Sequence, residues 1–102
     1  MNSKFWGMLS LAMRAGKLSP GEGKAEDAVR GSKAKLILLA KDASDNTRKK
    51  FSDMGTFHKV PVLKIEDRFR MGGAIGRDFA VVIAVTDNNF AEQLLKLQEE
   101  AV

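Results

Sequence analysis

The chain has 102 residues, 44% apolar and 29% charged, with a net charge of +4 and a pI near 9.6. That length suits a single domain over residues 1–102 and excludes a catalytic domain joined to a separate binding domain. The longest apolar stretches, residues 36–40 and 79–85, fall well short of the ~20 residues of a membrane-spanning helix. The start, Met1-Asn2-Ser3-Lys4-Phe5-Trp6, lacks a signal peptide's apolar region, and the absence of cysteine points to the reducing cytoplasm.

Taken in chain order, Phe5, Met8, Leu9 and Ala12 fall at helical spacing, so residues 2–15 predict an amphipathic helix, with Asn2 or Ser3 as cap and Gly16 as stop. A short extended piece at Lys17-Leu18 follows. Ser19-Pro20-Gly21-Glu22 then predicts a helix start: a capping hydroxyl, a proline at the first helical position and a glutamate three residues on. That helix runs to about Arg30, with Ala25, Ala28 and Val29 inward and Gly31 ending it.

Residues 35–40 are apolar without alternation, as in a central strand covered on both faces. A loop over residues 41–45 leads to a helix with Thr47, Phe51 and Met54 inward, Arg48, Lys49 and Lys50 outward, and Gly55 closing it. Residues 60–63 predict an edge strand, because Pro61 cannot donate to a ladder. Residues 66–71 predict a short helix, residues 72–78 a glycine-rich connection and residues 79–85 a second buried strand. Thr86 or Asp87 then caps a last helix whose apolar face is Phe90, Leu94 and Leu97, with Ala91 and Leu95 alongside. Strands alternating with helices imply an α/β fold with helices on both faces of a small sheet.

Charge is unevenly placed. Residues 1–86 hold 16 of the 17 Lys and Arg against nine of the 13 acidic residues, a net +7, while residues 87–102 carry −3. A basic body of this kind attracts phosphate backbones. The catalytic inventory is thin: His58 is the only histidine, with no cysteine or tyrosine. Metal sites built from His and Cys are thereby excluded, and His58, where a helix hands over to a strand, reads as a surface or capping residue. Glu26-Asp27 and Glu66-Asp67 are adjacent in sequence, so their side chains diverge on a helix and read as solvated charges.

Two segments have the chemistry of an anion-binding surface. The glycine pattern Gly72-Gly73-Ala74-Ile75-Gly76-Arg77 does not sit between a strand and a helix, as a dinucleotide loop would. With Arg68, Arg70 and Arg77 beside it, it suits a nucleic-acid contact as well as it suits a bare turn. The helix start at Gly21-Glu22-Gly23-Lys24 offers backbone N–H groups next to Lys17 and Lys24.

Three strings carry a resemblance. They are Met13-Arg14-Ala15-Gly16-Lys17-Leu18 with Gly21-Glu22, residues 28–44 from Ala28-Val29-Arg30-Gly31 through Leu39-Ala40-Lys41-Asp42-Ala43-Ser44, and Met71-Gly72-Gly73-Ala74-Ile75-Gly76-Arg77-Asp78 before residues 79–85. In order and over roughly residues 5–97 the chain resembles the ribosomal protein L7Ae family, its small bacterial homologues in particular. The resemblance implies a three-layer α/β/α sandwich around a four-stranded mixed sheet, without enzymatic activity, cofactor or metal. It implies as partner a structured RNA, ribosomal or containing a kink-turn, a sharply bent element with tandem sheared G·A pairs. Association with the ribosome is expected with it, and the chain is expected to be a cytoplasmic monomer with no membrane role.

By position, the family's first RNA-reading segment falls on Gly21, Glu22, Gly23, Lys24 and Asp27. The second falls on Gly76, Arg77, Asp78 and Phe79, with Lys41 between them at the end of the central strand. Lys17, Lys33 and Lys35 add phosphate-binding charge. The pattern departs in one place: where archaeal and eukaryotic members have asparagine, then glutamate, then lysine three residues later, this chain has Gly23, Lys24 and Asp27. Phosphate contacts position and base contacts specify, so this departure bears on specificity. It also leaves open a different reading, a protein-interaction module on the same fold that has lost specific RNA binding.

Overall fold

The computed structural model describes residues 3–100, so Asn2 as a helix cap lies outside the described residues. In chain order the elements are α1 (Ser3–Arg14), β1 (Leu18–Pro20), α2 (Glu22–Arg30), β2 (Leu36–Leu39) and α3 (Asp45–His58). They continue with β3 (Val62–Lys64), α4 (Arg68–Ala74), β4 (Val82–Val85) and α5 (Asn88–Glu100). The strands form one sheet in the order β1-β4-β2-β3, antiparallel except for the parallel β2–β3 pair.

The two central strands are buried along their full length, and their alternation divides the core. Leu36 and Leu38 with Ile83 and Val85 face Phe5 and Leu9 of α1, Met71 of α4 and Leu94 of α5. Ile37 and Leu39 with Val82 and Ala84 face Ala25 and Val29 of α2 and Phe51 and Met54 of α3. The fold is therefore the expected α/β/α sandwich on a four-stranded mixed sheet. Each such fully buried aliphatic side chain contributes about 1.5–3 kcal/mol relative to an exposed one. Pro61 directly precedes the edge strand β3, and its carbonyl accepts from the Ile37 amide at 2.9 Å.

Several boundaries differ from those the sequence suggests, each for a packing reason. Ser19 and Pro20 belong to β1 rather than to a helix start, with Pro20 opposite Ile83 in an edge strand that tolerates its missing N–H. Gly21, at φ +95°, is the N-cap of α2, and its amide extends the ladder to the Val82 carbonyl at 2.9 Å. Gly55 does not close α3, which continues to His58, and Gly72 and Gly73 lie inside α4. Both Gly55 and Gly72 sit where a neighbour leaves no room for a side chain: a Cβ on Gly55 would lie 2.5 Å from Val62 Cγ2 and 2.9 Å from the Val60 carbonyl oxygen. α4 starts at Arg68 because the Asp67 carboxylate caps the amides of Phe69 and Arg70, at 2.9 and 2.8 Å. β3 runs over Val62–Lys64 and β4 over Val82–Val85, which leaves Phe79, Ala80 and Val81 as loop.

Candidate nucleic-acid interface

The end of β1, the start of β4 and the end of β2 lie at one edge of the sandwich, because β1 and β2 both run antiparallel to β4. There an open groove of about 520 Å³ is lined by Pro20, Gly21 and Glu22 on one side and by Gly76, Arg77, Asp78, Phe79, Ala80 and Val81 on the other. The two segments singled out in the sequence, more than fifty residues apart, thus become the two walls of one depression.

The α2 wall follows from the strand-to-helix turn. With Ser19 in the strand, no side chain caps α2, so the first-turn amides remain available to an acceptor and reinforce the positive end of the helix dipole. Gly23, in that first turn, has nothing within 4 Å of the place a Cβ would take. The other wall follows from α4. Gly76 at φ +77° turns the chain out of the helix while the Arg77 amide donates back to the Gly72 carbonyl at 2.9 Å. The loop then runs across Gly72 and is pinned by the Ala80 amide on the Arg68 carbonyl at 2.9 Å. Phe79 is left 56% exposed at the groove; Phe57 and Phe69 are more exposed still, but neither lines it.

Of the three arginines near this loop, two are engaged within the fold. Arg68 grips Asp42, donating to its carboxylate at 3.2 Å and to its carbonyl at 2.8 Å, and the Arg70 guanidinium lies 4.2 Å above the Trp6 ring. The Arg77 side chain has no protein partner among the described residues and lines the groove.

The remaining predicted residues are distributed unevenly. Lys24, Asp27 and Lys33 line a smaller depression of about 230 Å³ with Ser19 and Ala28. Lys41 follows β2 at the groove end of the sheet, its amide bonded to the Glu66 carbonyl. Lys17 lies at the other end of β1, where its carbonyl accepts from Thr86, and the structure does not bring it to the groove. The Lys35 amide is tied to the Val85 carbonyl at that same far end.

One residue of the groove architecture was not singled out. Thr47, buried in the first turn of α3, donates its hydroxyl to Glu22 Oε1 at 3.2 Å and accepts from the Ser44 hydroxyl at 3.0 Å. It fixes the Glu22 carboxylate at the mouth of the groove. Its signal in the sequence was a polar residue at an inward helical position.

His58 ends α3 and meets the Phe57 ring edge-on at 5.0 Å. Glu26 binds Lys50 at 2.6 Å and Arg30 at 2.8 Å. Among the described residues, no helix is long and apolar enough to cross a membrane, and no group of three or more His, Asp and Glu could hold a metal ion.

The profile of the Ribosomal protein L7Ae/L30e/S12e/Gadd45 family matches residues 3–95. The chain belongs to this family. It is 46% identical over 90 residues to the RNA-binding protein YlxQ of Bacillus subtilis (strain 168), covering 88% of this chain and 90% of that one. RNA-binding protein YlxQ of Enterococcus faecium is 36% identical over 96 residues, covering 94% and 92%. Among solved structures, a Bacillus halodurans C protein of unknown function superposes with a TM-score of 0.92 at 35% identity, over 96% of this chain and 99% of that one. The Giardia lamblia 15.5kD RNA binding protein shares the fold, with a TM-score of 0.78 at 18% identity over 100% and 93%. The L7Ae family assignment thus spans both walls of the groove.

Proposed function

We infer that this chain is a non-enzymatic RNA-binding protein, one domain over residues 1–102, that takes a kink-turn or similarly bent RNA at the groove between α2 and the α4–β4 loop. The observation that carries this reading is the convergence itself. An uncapped helix N-terminus, a guanidinium without a protein partner and an exposed aromatic ring face one open depression. Helix N-termini and arginine bind phosphate, and an exposed aromatic ring offers a stacking surface to an unpaired base. The naming of two bacterial relatives as RNA-binding proteins supports the same reading. The protein acts as a cytoplasmic monomer associated with the ribosome, and co-sedimentation of the tagged chain with ribosomal particles tests that part.

A gel shift comparing a kink-turn with a variant lacking the G·A pairs tests the target. Tighter binding of the intact kink-turn is expected, and equal affinities overturn kink-turn recognition. Gly23, Lys24 and Asp27 standing in the place of asparagine, glutamate and lysine favour one other reading, a protein-interaction module. Affinity for structured RNA weaker than about 10⁻⁴ M at physiological salt, the floor of ordinary non-specific binding, supports that alternative.

A further inference from the structure

An acidic side chain at the mouth of an RNA groove repels phosphate, so its presence needs a different partner. Glu22 is held there: Thr47, itself buried and bonded to the α3 cap Ser44, donates to Oε1, while Oε2 has no protein partner among the described residues. A carboxylate is an acceptor only, with two oxygens and about four lone-pair sites. It therefore matches a base edge that presents two adjacent donors. Guanine offers such an edge, N1–H beside the N2 amino group. Adenine and cytosine offer one amino group flanked by an acceptor, and uracil offers one imino N–H between two carbonyls.

We propose that the groove selects an unpaired guanine, with Glu22 as the specificity-determining residue, Thr47 as its positioning residue and Phe79 as the stacking surface. The inference rests on the RNA-binding reading above and adds the identity of the base. Phe79 and Arg77 on the facing wall act on every nucleotide alike, the ring through its face and the guanidinium through phosphate. Among the described residues, Glu22 is the side-chain acceptor of the groove that a protein donor holds, so discrimination between bases falls to it, and Thr47 keeps its orientation from being lost to rotamer averaging. Asp78 also lines the groove, but no protein donor among the described residues holds its carboxylate.

The test uses the full chain and fluorescence anisotropy. The probes are RNA helices with a three-nucleotide bulge, with and without adjoining tandem G·A pairs, the third bulge nucleotide being guanine, inosine, adenine, cytosine or uracil. Guanine is expected to bind roughly tenfold or more tighter than adenine, cytosine or uracil, as a bidentate base contact gives. Inosine, which lacks the N2 amino group, falls between. Glu22→Gln replaces one acceptor by a donor and is expected to shrink the preference to about threefold or less, since charge-assisted bonds are roughly twice as strong as neutral ones. Thr47→Val keeps the bulk, removes the tether and narrows the preference with the salt slope unchanged, which a merely structural role would not do.

RNA binding with equal affinity for all five nucleotides overturns the guanine assignment and leaves the RNA-binding reading standing. A guanine preference that survives Glu22→Gln, or that Asp78→Asn removes instead, overturns the role given to Glu22. Failure to bind any of the probes overturns both readings.

Discussion

The backbone of Phe79 lies directly on Gly72 of α4: a β-carbon at residue 72 would sit 2.6 Å from the Phe79 carbonyl carbon and 2.7 Å from its nitrogen, and closer still to its Cα. The obstacle is main chain, which cannot swing aside as a side-chain tip can. Gly72→Ala is therefore expected to destabilise the fold by about 1–3 kcal/mol. It should also push the 77–79 loop outward, so RNA affinity falls at temperatures where the variant remains folded. Chemical denaturation and a binding titration check both halves.

Gly23 is the opposite case, a helical glycine with open space where a Cβ would stand and no positive φ. Gly23→Ala is expected to raise stability by roughly 0.5–1 kcal/mol, because the unfolded chain loses conformational freedom. If RNA approaches the first turn of α2, the same methyl group weakens binding. Higher melting temperature with lower affinity is the expected combination, and unchanged affinity would place the RNA away from Gly23.

Arg77 lines the groove and Lys24 the smaller depression beside the start of α2, and both are expected to contact phosphates. Lys24→Ala and Arg77→Ala should each weaken binding nearly uniformly across RNA sequences and lower the slope of log affinity against log salt by about 1. Titrations at several salt concentrations read this directly, and unchanged slopes in both variants would move the interface elsewhere.

Glu26 gives a pH signature unrelated to the groove. Hydrogen bonds from Lys50 and then Arg30 hold its carboxyl below the usual glutamate value. A folded-state value below the unfolded one means that the ionised group favours the fold above the unfolded value. That contribution is lost as pH falls through the folded one. NMR titration should show a depressed Glu26 midpoint that rises towards the ordinary value in Lys50→Ala.

The central strands were legible because residues 36–39 and 82–85 are apolar on both faces, and the amphipathic helices because their inward residues recur at helical spacing. Less legible was anything set by a distant neighbour. Ser19-Pro20-Gly21-Glu22 has the composition of a helix start, and only pairing with β4 puts Ser19 and Pro20 in a strand. Gly55 and Gly72 resemble helix stops in the sequence, yet each is a contact point for another segment of chain. At the groove, Gly21 and Glu22 on one wall and residues 76–79 on the other could be named in advance, but Pro20, Ala80 and Val81 could not. The hydroxyl of Thr47 could be placed inward, but its partner twenty-five residues earlier could not.

β4 is the last strand in the chain and lies between β1 and β2 in the sheet. During translation β2 can pair with β3, but nothing joins β1 to β2 until β4 has been made. The first wall of the groove is synthesised early, but β1 gains its neighbour, and the Gly21 amide its acceptor on Val82, only when that strand arrives. Nascent chains that still lack β4 should be unable to capture RNA, so binding competence waits on the synthesis of that one strand.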